Sequence, residues 1–252
     1  MMKSNALSGY SISNTRRMVS CALLIALSMV LKLIFEVYIP LGGFPSLRIN
    51  LTSIPIMLSG ILFGPAAGFS VGAISDLLCF VIKPSGPYFP GFTLASALTG
   101  MIPGLMWRLI NKRPVAHLEW FNLVCVSVSM AICIGLGVFQ FQNGVVTYSG
   151  AAIHPLLMAL FIGLMLLFVL YPVILRKSSW ELVDDQLLFI VSLTQIICSV
   201  ILNTIFLIML YGQTAAVLLP ARVITNIFTI PLYTICLAGV LRLLPESYKG
   251  IR

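Results

Sequence analysis

Long apolar runs, broken by short polar or Pro/Gly-bearing segments, organise this chain from residue 17 to residue 243. A helix that crosses a bilayer needs about 20 mostly apolar residues. By that measure the pattern predicts helices over 17–39, 50–63, 66–83, 93–111, 120–140, 152–175, 187–211 and 221–243. The second is short. Its length corresponds to a rise of only about 21 Å, and Pro55 lies inside it, so a tilted or partly spanning helix is expected. The turn FGPAAG (63–68) joins it tightly to the third. Nowhere does the chain alternate as the strands of a transmembrane barrel do. The expected fold is therefore an all-α integral membrane protein, a bundle of about eight transmembrane helices in one domain spanning 1–252.

Composition agrees with that class. Hydrophobic residues make up 60% of the chain and charged residues 9%, whereas soluble domains carry roughly 25% charged residues. The net charge of +8 does not imply a nucleic-acid partner, because the cations are dispersed at the ends of apolar runs. Eight helices put both termini on one side, and Lys and Arg decide which. Lys3, Arg16, Arg17, Arg108, Lys112, Arg113, Arg176, Lys177, Arg242, Lys249 and Arg252 fall on one side; Lys32, Arg48, Lys83 and Arg222 fall at or near the other. This bias makes both termini cytoplasmic and the loops 40–49, 83–92, 140–151 and 211–221 outer. Three of those outer segments bear a cation at or beside them: Arg48, Lys83 and Arg222. Such a mouth suits an anionic, aromatic small molecule. The six cysteines all lie in apolar segments without CxxC or metal-ligand spacing, which reads as small buried hydrophobes.

Catalytic signatures are lacking. There is no P-loop and no H-E-x-x-H; Asp184-Asp185 reads as a solvated pair in a cytoplasmic loop. No cofactor or metal is implied. Ionisable residues inside membrane helices are functional candidates by default. Asp76, Phe80 and Lys83 follow i, i+4, i+7 and share a helix face. Asp76 has two readings: the floor of a pocket that accepts hydrogen bonds from ligand amines, or a structural group, as one half of an interhelical ion pair or the cap of a backbone group. Gln195, Ser199 and Asn203 form a polar stripe, as do Arg222, Asn226 and Thr229. Such stripes either meet a ligand or hold helices together, at about 0.6 to 2 kcal/mol per hydrogen bond. Ala22 and Ala26 give the first helix an A-x-x-x-A spacing, which permits close helix approach.

The segment KPSGPYFPGFTLASALTGMIPGL (83–105) packs prolines, glycines and aromatics behind a lysine. Together with LRINLTSIPIMLSGILFGPAAGFSVGAISDLL (47–78), ILNTIFLIMLYG (201–212) and LPARVITNIFTIPL (219–232), it resembles the folate-specific substrate-binding (S) components of energy-coupling factor (ECF) transporters. These blocks cover about a third of the chain in the family's order, and the F-P-G-F-T-L block is the most specific. The resemblance implies high-affinity capture of a vitamin outside a bacterial plasma membrane, with no ATPase of its own. It implies a membrane-embedded coupling subunit and two cytoplasmic ATPase subunits as partners, with Ala22 and Ala26 as the docking motif. Two departures stand out. Family members usually have six helices, so 113–186 reads as an inserted helix pair. Lys32 stands where the resemblance leads one to expect an arginine.

Folate joins a flat pterin to aminobenzoate and a dianionic glutamate. Tyr88, Phe89 and Phe92 are expected to supply aromatic faces for the pterin, and Arg48, Lys83 and Arg222 cations for the glutamate. Asp76, Asn203 and Asn226 are the remaining polar candidates, and Thr93 is expected to cap a helix that begins near Leu94. The prolines at 84, 87 and 90 stiffen the loop and reduce the entropy lost when it orders on a ligand. Competing readings are an S component for another heterocyclic vitamin, a secondary transporter, and a membrane scaffold.

Overall fold

The computed structural model describes residues 14–35, 37–41, 44–49, 51–84, 87–112, 139–142, 145–148, 151–152, 182–211 and 219–243. Helix α1 spans Asn14–Phe35, α2 Ser53–Phe63, α3 Pro65–Ile82 and α4 Pro90–Lys112. Helix α5 (Leu182–Gln195) runs into a π-helical segment, Ile196–Leu202, and then into α6 (Asn203–Tyr211); α7 spans Leu219–Leu243. Four of the described helical segments are long and apolar enough to cross a membrane: Asn14–Phe35, Pro65–Ile82, Pro90–Ile110 and Gln186–Leu210. Ser53–Phe63 and Thr229–Leu243 are shorter apolar helices. The predicted helices 120–140 and 152–175 lie outside the described residues, apart from their facing ends.

Short antiparallel sheets replace two expected loops. Strands β1 (Val37–Leu41) and β2 (Phe44–Ile49) pair with Tyr38 opposite Arg48. The first helix accordingly ends at Phe35 rather than at 39. Val37, Tyr38 and Ile39 are β-formers, and Pro40 cannot continue a helix. Strands β3 (Phe139–Gln142), β4 (Val145–Tyr148) and β5 (Ala151–Ala152) form a second small sheet over the expected loop 140–151. At the other boundary Asp184-Asp185 belongs to the first turn of α5, not to a loop.

Helix α2 is the hub. Every residue from Pro55 to Phe63 is buried, although its length amounts to a rise of only about 17 Å. Pro55 sits in its first turn, where a missing N–H breaks no helical bond. Met57, Leu58, Leu62 and Phe63 form one core cluster with Leu188, Val191, Val200, Ile230, Tyr233 and Leu237 from α5, the π segment and α7.

Glycines bring α2, α3 and α4 into backbone contact. A Cβ on Gly60 would stand 2.0 Å from the Gly100 carbonyl oxygen, and one on Gly68 would stand 2.2 Å from the same atom. Gly64, between α2 and α3, has φ 92°, a left-handed conformation that favours glycine. The Arg108 side chain lies against it, and the Arg17 guanidinium donates to the Phe63 carbonyl beside it. Two cations thus gather at this turn, at the end of the bundle opposite the α3–α4 loop.

Candidate functional site

The α3–α4 loop end collects the polar and aromatic residues. Asp76 lies six residues before the end of α3, about 9 Å along the axis. Its Oδ1 is 3.8 Å from Lys32 Nζ on α1, and both side chains are largely buried. Its Oδ2 accepts a hydrogen bond of 2.9 Å from Thr93 Oγ1 on α4. The Tyr88 hydroxyl lies 3.3 Å from Thr93 Oγ1. A threonine hydroxyl has one proton. Because Thr93 gives that proton to the carboxylate, Tyr88 is the donor in its contact with Thr93. The direction runs from Tyr88 through Thr93 to Asp76, and the Lys32 ammonium balances the charge. One turn below Lys32, the Ser28 and Ser75 hydroxyls share a hydrogen bond of 2.8 Å across the same α1–α3 contact, fully buried.

Thr93 therefore does not cap α4. The helix begins three residues earlier than expected because Pro90 takes its first position, where a proline's fixed φ and missing N–H are best tolerated. The Phe92 N–H donates to the Phe89 carbonyl at 3.1 Å, which tightens the entry.

Aromatic rings complete this end. Phe80 and Tyr88 meet at 5.1 Å between centroids. Phe89 and Phe92 lie 5.7 Å apart, and Phe206 of α6 lies 5.7 Å from Phe89 and 6.3 Å from Phe92. These separations are those of edge-to-face and tilted aromatic pairs. Gly91 makes room for the trio, since a Cβ there would fall 2.4 Å from Phe89 and 2.8 Å from Phe206.

Of the residues singled out from sequence, Asp76, Tyr88 and Thr93 form one connected group, and Phe89 and Phe92 another. Lys83 stands exposed at the C-terminal cap of α3, where its N–H donates to the Cys79 carbonyl at 2.9 Å. Asn226 is buried on α7; its Oδ1 accepts from Thr229 Oγ1 at 3.5 Å, and its Nδ2 has no hydrogen-bond partner. Gln195 is buried and Asn203 half-buried. Arg48 stands in β2, which runs against α7, and Arg222 in the first turn of α7; the side chains of both lie outside the described residues. Ala22 and Ala26 are exposed one turn apart on α1, amid exposed Leu23, Leu27 and Val30. Sequence reasoning did not place Lys32, Phe80 or Phe206 in the site. A charge within an apolar helix was a usable signal for Lys32; nothing local marks Phe206.

The profile of the ECF-type riboflavin transporter S component matches residues 12–170. This chain belongs to that family. The S component is a multi-pass membrane protein and a substrate-binding transport subunit, not an enzyme. It is 26% identical over 166 residues to the folate transporter FolT of Clostridium novyi (strain NT), covering 66% of this chain and 91% of that protein. The riboflavin transporter RibU of Lactococcus lactis subsp. cremoris (strain NZ9000) is 28% identical over 103 residues, which is 40% of this chain and 50% of RibU. A crystal structure of FolT bound with folic acid matches the S component with a TM-score of 0.51 at 19% identity, covering 93% of this chain and 92% of that one. At that identity the likeness is one of fold.

Proposed function

We propose that this S component captures folate at the outer face of a bacterial plasma membrane and hands it to an energy-coupling complex. The observation that carries the reading is the extent of the FolT match, which takes in nearly all of that transporter, while the RibU match takes in half. The loop end adds chemical support. Phe89, Phe92 and Phe206 offer apolar ring faces beside Tyr88, as a pterin needs. Lys83, Arg48 and Arg222 are the cations proposed to meet the glutamate carboxylates, and Asn203 and the unpartnered Nδ2 of Asn226 the polar groups proposed to meet the ligand's edge.

Both termini are cytoplasmic in this reading. The gathering of Arg17 and Arg108 at the α2–α3 turn supports it, because cations concentrate on the cytoplasmic side. The partners are a membrane-embedded coupling subunit and two ATPase subunits, docked through Ala22 and Ala26. Residues 113–186 are an inserted pair that leaves the topology of the remainder unchanged. A second reading, riboflavin as ligand, is favoured by the name of the matching family.

Equilibrium binding of labelled folate to the purified protein in detergent separates the two. Folate binding displaced by folates and not by riboflavin is expected. Displacement by riboflavin, or riboflavin binding without folate binding, keeps the transporter and overturns the vitamin. Ala22→Trp with Ala26→Trp is expected to leave folate binding intact while abolishing co-purification with the coupling subunit; an intact complex removes these alanines from the interface.

A further inference from the structure

Among the described residues, Asp76 is the carboxylate inside a membrane helix next to the candidate site, so a direct role toward a ligand amine is the obvious assignment. Its surroundings argue for something else. Each of its two oxygens already faces a protein group: Oδ1 faces Lys32 and Oδ2 accepts from Thr93. The carboxylate and its two partners come from three different places in the chain. Lys32 lies one turn before the end of α1, Asp76 near the end of α3, and Thr93 in the first turn of α4. Thr93, having spent its proton on the carboxylate, is left to accept from Tyr88 in the α3–α4 loop. Tyr88 in turn rests its ring on Phe80, one turn above Asp76.

We infer that Asp76 is a positioning residue: it contacts protein rather than vitamin, and it fixes the α3–α4 loop by orienting Thr93, which in turn holds the Tyr88 hydroxyl. The Lys32 ammonium lies 3.8 Å from the carboxylate and offsets its charge in an apolar setting, since buried charges are found paired. The hydroxyl relay runs in one direction because it ends on a carboxylate, which only accepts, and hydrogen bonds to a carboxylate are stronger than neutral ones. The device also ties the loop to α1, where the Ser28–Ser75 bond holds the two helices in register one turn below. Loop position at the ligand end and the seating of α1 are then parts of one arrangement.

The inference rests on the folate reading for its binding test but not for its structural test. In the structural test, ligand-free protein in detergent is treated with chymotrypsin and cleavage after Tyr88 is timed. Thr93→Val, which cannot donate to Asp76, is expected to speed that cleavage about tenfold, and Thr93→Ser to restore the wild-type rate. Lys32→Met and Asp76→Asn are each expected to speed it less, and the double variant no more than the stronger single one, as members of one network behave. In the binding test, Thr93→Val is expected to raise the folate dissociation rate with little change in association. Asp76→Asn is expected to weaken folate and its 2-desamino analogue by the same factor. Wild-type cleavage in Thr93→Val overturns the inference. So does an Asp76→Asn variant that weakens folate alone and leaves the analogue untouched, because that is the mark of a direct bond to the ligand amine. If the wild-type protein fails to bind folate, the vitamin assignment falls while the cleavage series still decides the role of Asp76.

Discussion

Two halves of the bundle are built by different rules. Along α2, α3 and α4 the backbones touch, with Gly60 and Gly68 both against the Gly100 carbonyl and Gly72 against the Ser96 carbonyl. Small residues at such crossings are how helices pack when lipid tails are as apolar as the side chains. The α5–π–α6 helix and α7 pack instead through branched side chains and buried hydroxyls, with a π-helical stretch in the middle. There Gly239 has open space where a Cβ would go. Among the described residues, Ser192 Oγ, Thr204 Oγ1 and Asn226 Nδ2 of this half are buried without hydrogen-bond partners, against Thr52 Oγ1 at the start of α2 in the other. Leaving such a group unsatisfied costs about 1–3 kcal/mol, a cost that a ligand supplying the missing partner removes. In the proposed function the first half is the frame and the second the face that adjusts to the ligand; π-helical segments occur often at functional sites.

The strongest test of the contrast is Gly100→Ala. Its methyl would fall 2.1 Å from the Gly68 carbonyl oxygen, so the helices must separate. A loss of about 3 kcal/mol or more is expected, seen as a large drop in the thermal unfolding midpoint or failure to purify folded; an unchanged midpoint would remove the frame. Next in size, Arg222→Ala is expected to weaken folate binding by about 1–3 kcal/mol, measured as a shift in Kd; an unchanged Kd takes Arg222 out of the site. Thr204→Val replaces an unpartnered hydroxyl with a methyl, and ligand-free stability is expected to rise by about 1 kcal/mol. A fall in the unfolding midpoint would mean that the hydroxyl already has a partner. Smallest of all, Gly239→Ala is expected to be neutral or stabilising by up to about 1 kcal/mol. Destabilisation matching that of Gly100→Ala would erase the difference between the halves.

Local pattern explains what was legible in the sequence. The runs read as 50–63 and 66–83 correspond to Ser53–Phe63 and Pro65–Ile82, because apolar length and the FGPAAG turn are local signals. The start of α4 was misjudged because Pro90, read as a loop residue, is the helix's first residue. The β1–β2 hairpin was missed because its five- and six-residue strands gain their register only by pairing with each other. The π segment was invisible because a change from i−4 to i−5 hydrogen bonding leaves no mark in composition. Asp76 shows the limit most plainly. Its chemistry leaves a ligand-facing and a structural reading open, and only the folded chain shows that Lys32 of α1 comes within 3.8 Å of it. Phe206 joins Phe89 and Phe92 from a distant helix, a meeting no spacing rule along the chain could foresee.

The central claim is that folate is held at the α3–α4 loop end, against the adjustable half. The most direct measurement is amide hydrogen exchange of the purified protein with and without saturating folate, resolved by peptide. The account predicts slowed exchange in peptides covering 87–95, 203–211 and 219–229, with 60–72 and 96–104 unchanged because the glycine seam is already closed. Protection confined to the α2–α3 turn, or no protection anywhere at a folate concentration that saturates binding, would contradict it.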